Sequence, residues 1–178
     1  HGGSLIFYAS MLALLDLNEF GKNKKNFQHS NRKVLGIDID IRDHNKKEIE
    51  NHAMFNWVAM IEGSSIDKNI VSRVKKFSMN YKNILVVLDS NHTHEHVLEE
   101  LKFYAPLVSK NSYCVVFDTI VNDMPAYLSK NRPWGPDNNP KTALDEFLKQ
   151  NEDFVIDKNI DHKLQISVAP NGFLKKVK

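Results

Sequence analysis

The sequence predicts an α/β fold built on a mostly parallel sheet with helices on both faces. Short apolar runs rich in Val, Ile and Leu stop abruptly at acidic residues, the pattern of strands buried on both faces; VLGID and ILVVLD are the clearest. Segments with helical spacing alternate with these runs, and alternation of this kind is the mark of parallel strands joined by helical crossovers. No internal repeat and no composition break divides the chain, so a single domain over 1–178 is expected.

Taken in order, residues 4–17 (SLIFYASMLALLDL) are apolar nearly all round, as expected of a helix buried against a sheet. Gly2 and Gly3 precede it directly. A glycine pair opening a helix is ordinarily the second half of a strand-loop-helix unit, so the first strand of the sheet is expected to be missing from this chain. Residues 18–33 are polar and turn-rich, and Lys22, Lys24 and Lys25 beside Asn and Gly suit a solvated turn. Val34–Asp38 reads as a strand, 44–51 as a short helix, 57–61 as a strand ending at Glu62-Gly63-Ser64-Ser65, and 69–79 as a helix. The strand 84–88 is followed by an amphipathic helix through Val97, Leu98, Leu101 and Tyr104 that Pro106 ends. Residues 112–117 form another buried strand. The stretch 122–140, rich in Asn, Pro and Gly, is a loop of the length that tends to carry function. A helix over 142–150 and two closing strands, Phe154–Ile156 and 164–168, complete the chain, with Pro170-Asn171-Gly172 as a turn.

Composition excludes several classes of function. Of 178 residues 26% are charged and the net charge is +2, which gives no general pull toward nucleic acid. No apolar stretch approaches the roughly 18–20 residues that span a bilayer. The single Cys114 lies in an apolar run, so there is no disulfide framework and no thiolate metal spacing. With no recognisable signal peptide, a cytoplasmic protein that binds neither membrane nor nucleic acid is expected.

Chemistry is placed by the strand ends. In open α/β sheets, ligands bind past the carboxyl ends of the strands. Four such ends carry acids: Asp38 with Asp40, Glu62, Asp89 and Asp118. With the glycines before the first helix, they outline a nucleotide-type pocket in which the acid after a strand takes a ribose diol. No full G-x-G-x-x-G and no Walker lysine is present, which argues against phosphate cradling. Asp89 and Asp118, ending neighbouring strands, are candidates for Mg²⁺, a cation that takes oxygen ligands and keeps several waters. The plainer alternative is that Asp89 caps the helix starting near Thr93. His92, His94 and His96 are poorly spaced for zinc, whereas His92 or His94 suits a general base, because imidazole titrates near neutral pH.

The stretches GGSLIFYASML, VLGIDIDIRDHN, IEGSSID, VVLDSNHTHEHVLEELKFYAPLVSKNSYCVVFDTI, RPWGPDNNPKTALDEFL and APNGFLKKV resemble the cephalosporin hydroxylase family, in order and over nearly the whole chain. Members are similar to S-adenosylmethionine-dependent, Mg²⁺-dependent O-methyltransferases. The resemblance implies a Rossmann-like class I methyltransferase fold with a reversed last strand. It implies cofactor contacts from Gly2, Gly3 and Ser4 beside the methionine part, from Asp38 and Asp40 at the ribose, and from Gly63, Ser64, Ser65 and Asp67 near the adenine. It implies metal contacts from Asp89 and Asp118, and places His92 in an Asp-Ser-x-His segment near metal or substrate. Phe117 departs from the family pattern, which has Glu there (VVEDT); the implied metal set then leans on Asp89 and Asp118, with Thr119 or His92. The reaction implied is methyl transfer to a hydroxyl of a sugar or secondary metabolite, with Asp89, His92 and His94 as catalytic groups. The loop 122–140 covers the acceptor in this reading, Trp134 serves as a stacking surface or as simple loop packing, and a homo-oligomer is expected. Two alternatives are hydroxylation of a β-lactam nucleus through an iron site, and a catalytically degenerate binding subunit, to which Phe117 lends support.

Overall fold

The computed structural model describes residues 2–20 and 31–178; Lys22, Lys24 and Lys25 lie outside them. The chain divides into two compact units, His1–Ile70 and Val71–Lys178.

In the first unit, helix α1 (Gly3–Phe20) is followed by strand β1 (Val34–Asp38), helix α2 (Asp43–Glu50) and strand β2 (Val58–Glu62), and helix α3 (Lys68–Ser78) begins there. β1 and β2 pair in parallel, with Val34 opposite Val58 and Asp38 opposite Glu62, so both acids leave the same end. α1 is rich in Ala, Leu and Met, strong helix formers. It buries Ala9, Ala13 and Asp16, which recur at helical spacing on one face, and packs on β1, β2 and the turn Phe55–Trp57. Small residues on that face permit close approach, and a Cβ at Gly36 of β1 would already stand 3.0 Å from Leu5 Cδ1. The buried Asp16 carboxylate accepts the Trp57 indole N–H at 2.6 Å and is ion-paired with Arg32. Contrary to expectation, α1 is not covered all round: Phe7, Met11 and Leu14 are exposed.

The second unit contains strand β3 (Val86–Leu88), helix α4 (His94–Tyr104), strand β4 (Tyr113–Val116), helix α5 (Pro140–Lys149), strand β5 (Phe154–Ile156), helix α6 (Lys158–Leu164) and strand β6 (Phe173–Lys176). The sheet order is β3-β4-β6-β5. β3 and β4 are parallel, whereas β6 runs antiparallel to β4 on one side and to β5 on the other. The last strand is therefore the reversed one, as expected. Its location differs. The predicted closing strand at 164–168 is instead the end of α6 and an irregular segment with Gln165 at φ 63°. Alternation of apolar residues suggested a strand there, yet Leu164, Ile166 and Val168 all face solvent. The strand follows the 170–172 turn, where Leu174, fully buried, pairs with Cys114 and Ile156.

The loop before α5 is ordered by asparagine. Asn139 is the N-cap: its side-chain oxygen accepts from the backbone N–H of Lys141 (2.9 Å) and Thr142 (3.2 Å), and Thr142 Oγ1 accepts from Asn139 N–H in return, a capping box. Pro140 at the first helical position has no N–H to leave unpaired. The buried Asn139 amide donates back into the loop, to Gly135 O (2.8 Å) and Pro136 O (2.6 Å).

Candidate active site

Parallel pairing of β3 and β4 brings Asp89 and Asp118 together. Leu88 stands opposite Val116, and Phe117 N–H donates to Leu88 O at 3.0 Å, so the two aspartates leave adjacent strand ends. Asp118 adopts the left-handed conformation (φ 56°, ψ 23°), which short polar residues tolerate best. Partial burial first, and the Asp118 charge second, push the Asp89 carboxyl up from its ordinary value, while His92 pulls it the other way. His92 Nδ1 lies 3.2 Å from Asp118 Oδ2. The His92 and Trp134 rings meet edge to face, with centroids 5.5 Å apart, and the Arg132 guanidinium lies 5.6 Å from the Trp134 ring centroid. Asp89, Asp118, His92 and the loop residue Trp134 thus form one constellation.

The other histidines are engaged elsewhere. His94 opens α4, where its backbone N–H donates to Asn138 Oδ1 at 2.7 Å; its Nδ1 lies 2.9 Å from Thr142 Oγ1 and its Nε2 3.2 Å from Glu146 Oε2. Both ring nitrogens therefore face α5. His96 Nε2 lies 3.3 Å from Ser90 Oγ and 3.5 Å from Glu100 Oε1. Asp89 does not cap α4: the N-cap is Thr93, and the first helical N–H, that of His94, is taken by Asn138 Oδ1. Thr119 is fully buried and donates its hydroxyl to Pro170 O at 2.8 Å, which ties the turn before β6 to the end of β4.

In the first unit Gly2, at φ 80°, precedes α1, and Gly3 and Ser4 are its exposed first residues. Any side chain at Gly2 would also meet Ile49. Asp38 is exposed at the end of β1, where Oδ1 accepts the N–H of Asp40 (3.1 Å). Gly63 takes φ 144°, which favours glycine, and donates to Asp38 O at 2.8 Å, locking the two strand ends together. Ser64 O accepts from Asp67 N–H (3.0 Å), and Asp67 Oδ1 accepts from the N–H of Asn69 and Ile70, so Asp67 caps α3. Ser65 lies in the same turn.

Among the described residues no three His, Cys, Asp or Glu converge on a metal position. A zinc cluster and a two-histidine, one-carboxylate iron site are therefore not formed there. The Asp89–Asp118 pair is a different case. Two like carboxyls held together, one with its ionised form disfavoured, suit a cation that needs few protein ligands. Mg²⁺ is such a cation, commonly held by one or two carboxylates with water completing its shell.

The rhamnosyl O-methyltransferase/CmcI family model matches residues 1–177. The chain belongs to this family. A rhamnosyl O-methyltransferase of Mycobacterium tuberculosis is 36% identical over 119 residues, 66% of this chain and 46% of that protein. One of Mycobacterium leprae is 26% identical over 175 residues, 97% of this chain and 66% of that protein. The chain thus spans about half the length of the first of these relatives. Among solved structures, the MycE methyltransferase of the mycinamycin biosynthetic pathway, in complex with Mg, SAH and mycinamycin VI, superposes with a TM-score of 0.51 at 18% identity, covering 82% of this chain and 37% of that one. The fold is the Rossmann-like methyltransferase fold.

Asn138, Asn139, Ser90 and Glu100 hold the segments that carry the candidate residues, roles that sequence reasoning does not assign to them. An Asn-Asn-Pro run before a helical pattern is a recognisable cap signal. Nothing in the sequence distinguishes the buried Glu100 from the solvated acids around it.

Proposed function

We propose that residues 1–178 act as one methyltransferase-like domain that transfers the methyl group of S-adenosylmethionine to a hydroxyl of a sugar or secondary metabolite. The observation that carries this reading is the Asp89–Asp118–His92 constellation at the ends of parallel strands, in a chain of the rhamnosyl O-methyltransferase/CmcI family. Rhamnosyl O-methyltransferase relatives and the macrolide bound to MycE support a glycosidic acceptor.

In this mechanism Asp118 orients His92. With Nδ1–H donated to Asp118, the Nε2 lone pair is left to take the acceptor's hydroxyl proton, and the resulting imidazolium is stabilised by the same carboxylate. The oxygen freed of its proton attacks the methyl carbon while the C–S bond breaks and its electron pair stays on sulfur. S-adenosylmethionine supplies the electrophilic methyl, and its ribose hydroxyls would be held by Asp38, with Asp40 beside it. Gly2, Gly3 and Ser4 would approach the methionine part, and Gly63, Ser64 and Ser65 the adenine. A divalent cation on Asp89 and Asp118, when bound, supplies Lewis acidity that lowers the acceptor hydroxyl's pKa. Trp134 offers its ring to the acceptor, and the hydrogen bonds of Asn138 and Asn139 hold its loop in place. His94 is assigned to joining α4 and α5 rather than to proton transfer, because both its nitrogens face α5. A cytoplasmic homo-oligomer completes the proposal, and sedimentation of the full-length protein tests that part.

The test is methyl transfer from isotopically labelled S-adenosylmethionine to a panel of rhamnosyl glycosides by the full-length protein. Label in the glycoside, lost in His92→Ala, supports the reading. Label transfer that His92→Ala leaves unchanged removes His92 as the base.

A further inference from the structure

Next to the segment that carries Asp89 lies a carboxylate that the mechanism above does not use. Glu100 is 2% exposed, on the face of α4 that also buries Val97, Leu98, Leu101 and Tyr104. A leucine there would bury without penalty. Instead the Ser90 hydroxyl donates to Glu100 Oε1 at 2.7 Å, His96 Nε2 stands 3.5 Å from the same oxygen, and Oε2 has no hydrogen-bond partner among the described residues. Burying a carboxylate with one oxygen unpartnered is costly. Its charge is felt on three sides. It helps push the Cys114 thiol of β4 and the Tyr104 phenol of α4 up to about 12, behind burial in each case, and it contributes to raising the Asp89 carboxyl. Glu100 therefore sits where α4 packs against β3 and the Ser90 turn that follows it.

Ser90 is the link. It follows Asp89 directly, so an anchor on its hydroxyl restrains the backbone that carries the Asp89 carboxyl. Groups behind a cation's direct ligands orient those ligands and tune their basicity.

We propose that Glu100, through the Ser90 hydroxyl, is a positioning residue for the Asp89–Asp118 pair: it fixes the turn that carries Asp89 and adds negative potential behind the pair, raising its affinity for a divalent cation. The inference rests on the proposed divalent site. It is tested with Mn²⁺, whose free-ion electron paramagnetic resonance signal disappears on binding, titrated into the full-length protein and its Glu100→Gln and Ser90→Ala variants. Glu100→Gln keeps an oxygen to accept from Ser90 but removes the charge; Ser90→Ala keeps the charge but removes the anchor.

Each variant is expected to bind Mn²⁺ about 10- to 100-fold more weakly than the unmodified protein, the usual effect of disturbing such a partner. S-adenosylhomocysteine affinity should be unchanged in both, and the melting temperature of Glu100→Gln should not fall. A merely structural role would move the melting temperature and leave Mn²⁺ affinity alone. Equal Mn²⁺ affinity in either variant overturns the inference while leaving the divalent site intact. No Mn²⁺ binding by the unmodified protein overturns the divalent site, and the inference with it.

Discussion

Replacing Asn139 with Ala gives the most quantitative prediction. Its side chain is fully buried and bridges helix and loop. On one side it accepts from Lys141 and Thr142 N–H; on the other it donates to Gly135 O and Pro136 O. Loss of an N-cap side chain costs about 1 kcal/mol. Pro136 O, left without its donor, adds roughly 1 kcal/mol, at the low end for a buried group because water can enter a loop, whereas Gly135 O keeps the Asn138 N–H at 3.0 Å. The total is about 2 kcal/mol, which for a chain of this size is a melting-temperature drop of about 4–8 °C. Asn139→Asp separates the two halves: it keeps the cap acceptors but turns carboxylate oxygen toward two carbonyls, so it should recover little of the loss. Differential scanning calorimetry on the full-length protein and both variants measures this. A loss under about 1 kcal/mol in Asn139→Ala, or full stability in Asn139→Asp, would refute the account of how the loop carrying Trp134 is held.

Other outcomes follow from the same geometry. Asp89 has its carboxyl pushed up in the folded protein, so the native state binds more protons than the unfolded chain above the ordinary value of 3.8, and stability contributed by this group falls as pH rises through that window. In chelator-treated protein, the melting temperature of Asp89→Asn minus that of the unmodified protein should therefore increase from about pH 4 to pH 7; a flat difference contradicts a carboxyl raised by burial and by Asp118. His92→Ala should lower kcat by about 10²- to 10⁴-fold, the usual contribution of a general base. His94→Ala should instead cost about 1–2 kcal/mol of stability through its lost contacts to α5, with kcat within about twofold, and steady-state kinetics beside thermal melts distinguishes the two.

Much of the fold was legible because it rests on one-dimensional signals. Val34–Asp38 and Phe154–Ile156 form strands with the expected bounds, since apolar runs between turn residues have few other options. The last strand was misplaced because LQISV at 164–168 and FLKK at 173–176 look alike as patterns. Only pairing on both sides of β6, with Leu174 buried between Cys114 and Ile156, separates them. Asp89 and Asp118 could be read as a pair from strand ends alone. Which histidine joins them could not: His92 and His94 differ by two residues, and whether a ring meets Asp118 or Glu146 depends on where α4 starts and on Asn138 arriving from a distant loop. Glu100 was invisible for a related reason, since burial of an acid amid EELK is a property of packing.

The central claim is most directly tested by calorimetric titration of the full-length protein with S-adenosylmethionine, alone and after Asp38→Ala. Saturable binding is predicted, weakened about 10- to 100-fold in Asp38→Ala as charge-assisted hydrogen bonds to the ribose are lost. No binding by the unmodified protein would contradict the account.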